Sequence, residues 1–385
     1  MRLRRLLWLG AALAAASPAA AQSVTSREFG RLSDGRKVHE YLLDSGTGMR
    51  VRLLDYGGII RAVEVPDQRG HNANVALSLA SLADHEKRPN FSAIIGRYAN
   101  RLSGGGVAID GVFYKLATNE RGVISHGGAG GFGQKLWQAV PVRISGRAAV
   151  MLRLTSPAGD NGFPGTLLTE VTFSVGRDHT LRLDYRATTD APTVVNLTHH
   201  AFFNLAGAGT GSIDRHWIRV LADRFMVRDP SGLPTGEIRT VAGSALDLRH
   251  LTEIGPRLRA SDPQVVTARG FDHNFEVRTQ RSKGGKLPLV ACLYDPGSGR
   301  AMLVRTDQPG IQLYSANGFD GTLKGDASLS LRQGDGIAFE TQHPADSPRH
   351  RNFPTTLLRP GQVFTTSTSF TFIAAKPHSR IVPGC

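Results

Sequence analysis

Apolar and polar residues alternate along several short segments of this chain, and turns rich in glycine, proline and aspartate separate the segments. Residues 171–175 carry Val, Phe and Val at every second position, and residues 181–185 repeat the pattern after a turn at 176–178. Because successive side chains of a strand point to opposite faces, the two segments predict a β-hairpin with one buried face. Residues 150–154 and 364–373 are similar. The chain is therefore predicted to be all-β and to form one large antiparallel β-sandwich.

The 385 residues show no linker, no low-complexity boundary and no propeller-like repeat. Helical periodicity is scarce, and residues 79–87 are the best short candidate for a helix. Large all-β folds often exceed the length of an average domain, so the length alone does not require two domains. We predict a leader over residues 1–21 and a single β-sandwich domain over residues 22–385.

The first residues have the pattern of a secretory signal. Three arginines within the first five residues precede an apolar run over residues 6–16, and three alanines at 19–21 stand before Gln22. This order predicts export, to the periplasm or out of the cell, with cleavage before Gln22. A retained anchor is the alternative, but the run is shorter than the roughly 20 residues that span a bilayer. We expect no membrane span after cleavage.

The chain is basic, with a formal net charge of +14, and it remains basic without the three arginines of the leader. The arginines are scattered mostly singly and form neither a tract nor a recognisable nucleic-acid-binding module. This distribution is typical of a solvated, arginine-rich surface. We expect no nucleic-acid partner.

The only two cysteines are Cys292 and Cys385. Cys292 lies in the apolar run at 289–293, which favours a buried thiol, whereas Cys385 is the last residue. An oxidising compartment would permit a disulfide between them, and the sequence leaves that pairing open. Two cysteines do not support a cysteine metal site.

Side chains suited to proton transfer are spread over the whole chain. His126, His200, Asp272 and Glu340 each lie in a separate short segment flanked by glycine or aromatic residues. No local motif can hold them together, so a common pocket requires tertiary folding. Such a pocket suits proton transfer on a sugar, without a metal or nucleotide. A metal-dependent hydrolase would use the same residue types, but no short H-x-x-x-H spacing supports it.

Seven segments of the chain resemble segments of the aldose 1-epimerase (galactose mutarotase) family. They are GRYANR at 96–101, HGG at 126–128, GDNGFPG at 159–165, NLTHH at 196–200, GFDHNF at 270–275, GIQLY at 310–314 and FETQ at 339–342. Each segment is weak alone, but they follow the order of the family and cover most of the predicted mature chain.

The resemblance implies a galactose mutarotase-like β-sandwich, of the supersandwich type, and a cofactor-free interconversion of the α and β anomers of free aldoses. Glu340 is similar to the general base of the family and His200 to its general acid. The residues similar to those that hold the sugar are Asn100, Arg101, His126, Asp272 and Gln312. A small aldose such as galactose or glucose would then be the substrate, and no metal or other cofactor is expected.

The chain departs from the family pattern at two positions. His199 stands where the family often has Asn, so the roles of His199 and His200 could be shared or exchanged. Neighbouring strand residues point to opposite faces, however, so only one of the two is expected to meet the sugar. Ser78 stands where the family often has Gly, which affects a local loop and not the acid or the base.

Each candidate also has a structural interpretation that the sequence leaves open. Glu340 could pair with an arginine, His200 could be a satisfied core histidine, and His126 could belong to a plain glycine turn. Asn100 could form a turn, and Asp272 could form a turn or a cap. Arg101 could form an ion pair, and Gln312 could lie on a strand surface. Two other functions also stay open, a non-catalytic exported sugar-binding protein and an epimerase acting on sugar phosphates. The preferred sugar is not readable, and neither is the choice between monomer and dimer.

Overall fold

The structure is a computed structural model that describes residues 21–119, 122–277, 286–326, 329–376 and 382–385. Strands dominate these residues, and the α-helices are short. The helices are α1 (Leu82–Lys87), α2 (Ile254–Leu258) and α3 (Pro263–Ala268). The strands, in chain order, are β1 (Ser23–Arg31), β2 (Lys37–Asp44), β3 (Arg50–Leu54), β4 (Ile60–Pro66), β5 (Asn72–Asn74), β6 (Ile94–Ile95), β7 (Arg101–Leu102), β8 (Gly106–Ile109), β9 (Val112–Lys115), β10 (Ile124–Ser125), β11 (Gln138–Pro141), β12 (Arg147–Ser156), β13 (Leu167–Gly176), β14 (Thr180–Thr189), β15 (Thr193–Val194), β16 (Thr198–His199), β17 (Phe202–Phe203), β18 (Trp217–Val220), β19 (Arg224–Arg228), β20 (Pro234–Thr240), β21 (Thr252–Glu253), β22 (Asp272–Glu276), β23 (Leu289–Tyr294), β24 (Arg300–Thr306), β25 (Gly310–Tyr314), β26 (Asp320–Lys324), β27 (Ser330–Arg332), β28 (Ile337–Gln342), β29 (Leu357–Leu358) and β30 (Phe364–Ala374).

Three sheets contain most of these strands. The nine-stranded sheet has the order β11-β12-β13-β14-β30-β24-β23-β18-β21, and the six-stranded sheet has the order β17-β28-β25-β22-β19-β20. The N-terminal five-stranded sheet runs in chain order from β1 to β5. The pairings within these three sheets are antiparallel, as the alternating pattern of the sequence predicted.

The hairpin predicted from residues 171–185 is confirmed. Strands β13 and β14 pair antiparallel with Phe173 opposite Leu183 and Val171 opposite Tyr185, and all four side chains are buried. Burying a large apolar side chain contributes roughly 1.5–3 kcal/mol, so this face holds the hairpin against the core.

The nine-stranded and six-stranded sheets pack face to face around one hydrophobic core. Phe203 of the six-stranded sheet and Phe370 of the nine-stranded sheet lie with ring centroids 5.2 Å apart. Val51 and Val63 of the five-stranded sheet belong to the same core. The all-β sandwich prediction is therefore confirmed, with antiparallel sheets on both sides of the core.

The helix predicted at residues 79–87 is present in shortened form. Helix α1 begins at Leu82, because the hydroxyl of Ser81 accepts a hydrogen bond from the amide of Asp84 (3.2 Å) and caps the first turn. Leu79 forms a β-bridge with Gly325 instead. Residues 1–20 of the predicted leader lie outside the described residues. Among the described residues, no helix has the length and apolar character needed to cross a bilayer.

The two cysteines form a disulfide, so the preference for a free buried thiol at Cys292 is wrong. Cys292 lies in β23, and its Cα atom is 5.9 Å from that of Cys385, 93 residues later. The C-terminal residues fold back onto this strand, where Val382 packs against Tyr294 and Ala301. The apolar run around Cys292 indicated burial correctly, but only the path of the C-terminus decides its partner.

Candidate active site

Three adjacent strands of the six-stranded sheet bring distant candidate residues together. In the antiparallel register, Glu340 of β28 lies opposite Gln312 of β25, which lies opposite Asn274 of β22. Residues directly opposite each other project from the same face of a sheet, and so do residues two apart in one strand. Asp272 therefore lies on the face that carries Glu340 and Gln312.

Glu340 is almost completely buried, with 2% of its surface exposed. Its Oε1 atom lies 3.5 Å from Nε2 of His200, and its Oε2 atom has no hydrogen-bond partner among the described residues. Burial is the main cause that raises the pKa of Glu340 to about 8. The charge of Asp272 adds to the shift, and the charge of Arg101 opposes it. The carboxyl group is thus a strong base once it is ionised.

His200 follows the short strand β16 and is fixed by its backbone and by the rings around it. Its amide donates a hydrogen bond to the carbonyl of Ala93 (2.9 Å). The ring centroids of Phe202, His126 and Tyr314 lie 4.8, 5.3 and 5.8 Å from that of His200. Burial is the main cause that lowers the pKa of His200 to about 4, so the free imidazole is neutral at neutral pH.

His199 points away from this cluster, into the core between the sheets. Its Nε2 atom lies 3.0 Å from the carbonyl oxygen of Gly58, and its ring packs edge-on against Phe173 at 5.7 Å. The alternation of neighbouring strand residues separates the two histidines in this way. The structure thus places His200 beside Glu340 and gives His199 a packing position.

Asp272 is the centre of a polar group beside Glu340. Gln312 donates from Nε2 to Oδ1 of Asp272 (2.8 Å). Arg101 and Arg228 approach Oδ2 of Asp272 with Nη1 at 3.9 Å and Nη2 at 3.7 Å, respectively. Arg101, Asp272 and Gln312 were predicted from the sequence, whereas Arg228 was not, because a single arginine in β19 has no local sequence pattern that marks it as a site residue. These donors and acceptors suit a ligand with several hydroxyl groups.

Asn100 and His126 lie on neighbouring turns and fix each other. Both have left-handed backbones, with φ values of 62° and 52°, which non-glycine residues rarely adopt. The amide of His126 donates to the carbonyl of Asn100 (3.0 Å), and the amide of Asn100 donates to Nδ1 of His126 (3.4 Å). Because Nδ1 accepts, the neutral imidazole carries its proton on Nε2, which can donate to a ligand.

Gly127, directly after His126, packs closely against another segment of the chain. A Cβ atom added at Gly127 would overlap the backbone of Gly96. This close approach fixes the His126 turn against the segment that leads to Asn100 and Arg101.

His126, His200 and Glu340 form a compact cluster with the ligand types that zinc accepts. Their side-chain nitrogen and oxygen atoms lie within 4.8 Å of one another. The same atoms suit proton transfer, which needs a base and an acid close together. The expectation that the site works without a metal stays a prediction.

A cleft of about 290 Å³ opens beside His200 and gives access to the cluster. Phe202 and Tyr314 form an aromatic wall next to the imidazole, and Lys87 and Arg88 lie at the exposed end. Phe202 and Trp137 are the aromatic residues that could pack against the apolar face of a sugar ring. Phe202 lines the cleft, whereas Trp137 is buried and packs against Phe132.

Comparison with known proteins gives one consistent result. The family model described as aldose 1-epimerase matches residues 39–371. A galactose mutarotase from Sus scrofa is 38% identical over 354 residues, which cover 92% of this chain and 99% of that protein. An aldose 1-epimerase from Escherichia coli K12 is 32% identical over 345 residues, which cover 89% of this chain and 97% of the relative.

A solved structure has the same fold. The crystal structure of galactose 1-epimerase from Lactobacillus acidophilus NCFM aligns with a TM-score of 0.80 at 27% identity, covering 92% of this chain and 100% of that one.

The raised pKa of Glu340 predicts that replacing its carboxyl group with an uncharged amide stabilises the fold. Glu340 is protonated in the fold at pH 7 but ionised in the unfolded chain, where its pKa is near 4.5, so its ionisation favours unfolding. The Glu340→Gln variant should therefore have a free energy of unfolding higher by about 1–3 kcal/mol at pH 7, as measured by urea denaturation.

The difference should vanish at about pH 4, where the carboxyl group is protonated in both states. Glu276→Gln, a partly exposed position of the same sheet paired with Arg224, is the matched control and should not gain stability. A Glu340→Gln variant that is less stable than the wild type at pH 7 would contradict the burial of an uncharged Glu340.

Proposed function

This chain belongs to the aldose 1-epimerase family and interconverts the α and β anomers of aldoses, and we propose that Glu340 and His200 carry its proton transfers. The supporting observation is the 3.5 Å separation of Glu340 Oε1 and His200 Nε2. The anomeric hydroxyl and the ring oxygen are bonded to the same carbon, so the two proton transfers take place close together. Family membership favours an enzyme over a non-catalytic sugar-binding protein.

In the forward reaction Glu340 removes the proton of the anomeric hydroxyl, and His200 delivers a proton to the ring oxygen. The bond between C1 and the ring oxygen breaks, and C1 becomes the carbon of an aldehyde. After rotation about the bond between C1 and C2, His200 takes back its proton, the ring oxygen attacks C1 and Glu340 returns a proton to the new hydroxyl. No atom is gained or lost, and the carboxyl and imidazole groups account for both proton transfers.

The protonation of the pair fits this cycle. Near neutral pH burial leaves the proton on Glu340 and keeps His200 uncharged. The form with a Glu340 carboxylate and a His200 imidazolium has the same number of protons, and attraction between the opposite charges at 3.5 Å favours it over isolated buried ions. We assign catalysis to this one-proton state of the pair.

The remaining site residues hold the sugar. Asp272 accepts hydrogen bonds from hydroxyl groups, and Gln312, Arg101 and His126 donate them, while Asn100 fixes the orientation of His126. Arg101 also counteracts the rise in the pKa of Glu340, and thereby stabilises the carboxylate. Relatives named for galactose support a free hexose, including galactose, as the substrate.

We also propose that the protein is exported. The charged, apolar and alanine-rich order of the first 21 residues is that of a signal peptide, and the disulfide between Cys292 and Cys385 is typical of oxidising compartments. Both features are independent of the catalytic site.

Removal of either proton-transfer group should slow catalysis by roughly 10²- to 10⁴-fold, because each positioned transfer typically contributes that much. We expect such a loss of kcat for galactose, measured by polarimetry, in Glu340→Gln and in His200→Asn. The Glu276→Gln control should keep the wild-type rate, since Glu276 lies outside the cluster. A wild-type rate in Glu340→Gln would refute the assignment of the base.

The dependence of kcat/KM on pH should be bell-shaped, because only the one-proton state is active. Above about pH 8 the pair loses its last proton, and below about pH 4 His200 takes up a second one. Polarimetry corrected for spontaneous mutarotation should show both limbs. A rate that stays constant well above pH 8 would exclude Glu340 as the group that titrates.

Export predicts a mature chain that begins at Gln22. Fractionation of the native cells, followed by N-terminal sequencing and thiol alkylation without reductant, should find this N-terminus outside the cytoplasm with both cysteines unmodified. A cytoplasmic chain that retains its first 21 residues and has two alkylated cysteines would overturn the proposal.

A further inference from the structure

The row of site residues on the six-stranded sheet continues onto a fourth strand. Strand β19 pairs antiparallel with β22, and Arg224 lies opposite Glu276. Arg228 is four residues after Arg224, and Asp272 is four residues before Glu276. The continued register therefore places Arg228 beside Asp272, on the face of the sheet that carries the catalytic carboxyl group.

The side-chain distances agree with this register. Nη2 of Arg228 lies 3.7 Å from Oδ2 of Asp272, and Nη1 of Arg101 lies 3.9 Å from the same oxygen. A Cβ atom added at Gly232, in the turn after β19, would lie 2.7 Å from Nη2 of Arg228 and 3.1 Å from Nη1 of Arg101. Two guanidinium groups thus approach one carboxylate, next to a turn where glycine contributes no side chain.

The guanidinium of Arg228 is poorly satisfied for a side chain that is only 11% exposed. Nε and Nη1 are enclosed and have no hydrogen-bond partner among the described residues, and 3.7 Å from Nη2 to Asp272 is longer than a hydrogen bond. By contrast, Arg97 is 2% exposed and donates to the backbone carbonyls of Ser156 and Gly165. Any surface that the guanidinium of Arg228 exposes belongs to its Nη2 end, which faces Asp272.

An unsatisfied buried cation is unfavourable in a purely structural role. Replacing the hydrogen bonds of water without making new ones destabilises the fold, so such groups call for an explanation. Residues that break a local rule in this way are concentrated at functional sites. Arg228 therefore has the character of a group that a ligand completes.

The order of the strands indicates which part of a sugar meets Arg228. His200 precedes β17 by two residues, on one side of β28, whereas β25, β22 and β19 follow on the other side. In the proposed reaction, His200 meets the ring oxygen and Glu340 meets the anomeric hydroxyl. C2 is bonded to C1 on the side away from the ring oxygen, so the hydroxyls at C2 and C3 extend towards Asp272 and Arg228.

We propose that Arg228 is a further substrate-binding residue, whose guanidinium donates to a hydroxyl at C2 or C3 of the aldose beside the carboxylate of Asp272. A hydroxyl group donates and accepts, so one sugar hydroxyl accepts from Arg228 while it donates to Asp272. This role rests on the proposed function, which supplies the orientation of the sugar. A site built to bind a hydroxyl discriminates strongly against an analogue that lacks it, so Arg228 selects aldoses over their 2-deoxy or 3-deoxy analogues.

Deoxy sugars test this role by polarimetry on the purified protein. Arg228→Met removes the guanidinium and keeps an unbranched side chain. For D-galactose, KM should rise roughly 10- to 100-fold while kcat changes much less, because the contact is the same before and during ring opening. The wild type should lose kcat/KM with 2-deoxy- or 3-deoxy-D-galactose, and for at least one of them this loss should be about tenfold smaller in Arg228→Met.

Arg224→Met is the matched control, because Arg224 lies on the same strand and face but pairs with Glu276 at 2.6 Å and is 55% exposed. It should keep the wild-type KM and the full loss with the deoxy sugars. Equal melting temperatures of the two variants would show that the raised KM does not come from unfolding. If Arg228→Met does not fold, Arg228→Lys keeps the charge beside Asp272 but lacks the planar fork, and the same pattern is expected.

A wild-type KM in Arg228→Met, or an unchanged loss with both deoxy sugars, would overturn the assignment. Calorimetric titration with the same sugars measures the contact without turnover. A wild type that discriminates against a deoxy sugar in binding, through Arg228, but does not accelerate anomer exchange would contradict only the proposed function.

Discussion

The antiparallel register of β22, β25 and β28 is the constraint on which the catalytic site depends. It places Asp272, Gln312 and Glu340 on one face, although they are 28 to 68 positions apart in the chain. A shift of one residue in any of these pairings would turn the side chains to the opposite face and dismantle the site. The register is held by the core below the sheet, where Phe275, Leu313 and Phe339 are buried against the other sheets.

Burial of Glu340 and His200 shifts their pKa values, and burial of the ionisable Glu340 lowers the stability of the fold. The same exclusion of water that raises the pKa of Glu340 also lowers the pKa of His200, so both groups rest in uncharged forms. Moving the proton of Glu340 to His200 gives a carboxylate and an imidazolium without changing the net charge of the pair. The carboxylate of Asp272 lies beside the pair, and Arg101 and Arg228 approach it with their guanidinium groups.

Two turns beside the sheet have uncommon backbone conformations that hold side chains in fixed positions. Asn100 and His126 adopt left-handed backbones that are uncommon without glycine, and mutual hydrogen bonds keep them there. Gly127 lets this turn pack directly on the backbone of Gly96. Asn196 lies four residues before His200 and fixes the backbone of His343 through two hydrogen bonds, and its side chain also donates to the carbonyl of Ala99.

Sequence patterns were sufficient to predict the fold class and most of the residues that meet in the site. The alternation of apolar residues predicts strands because it depends only on the geometry of a single strand. For the hairpin at 171–185 this was enough to predict the buried face correctly. The family resemblance gave roles to Glu340 and His200 and added Asn100, Arg101 and Gln312. The fold was needed to show that His199 faces the core, that Arg228 joins Asp272 and that Cys292 pairs with Cys385. Each of these depends on contacts between segments far apart in the chain, and the shifted pKa values depend on the exclusion of water by all of them together. Local sequence patterns carry no information about these long-range contacts or about the exclusion of water.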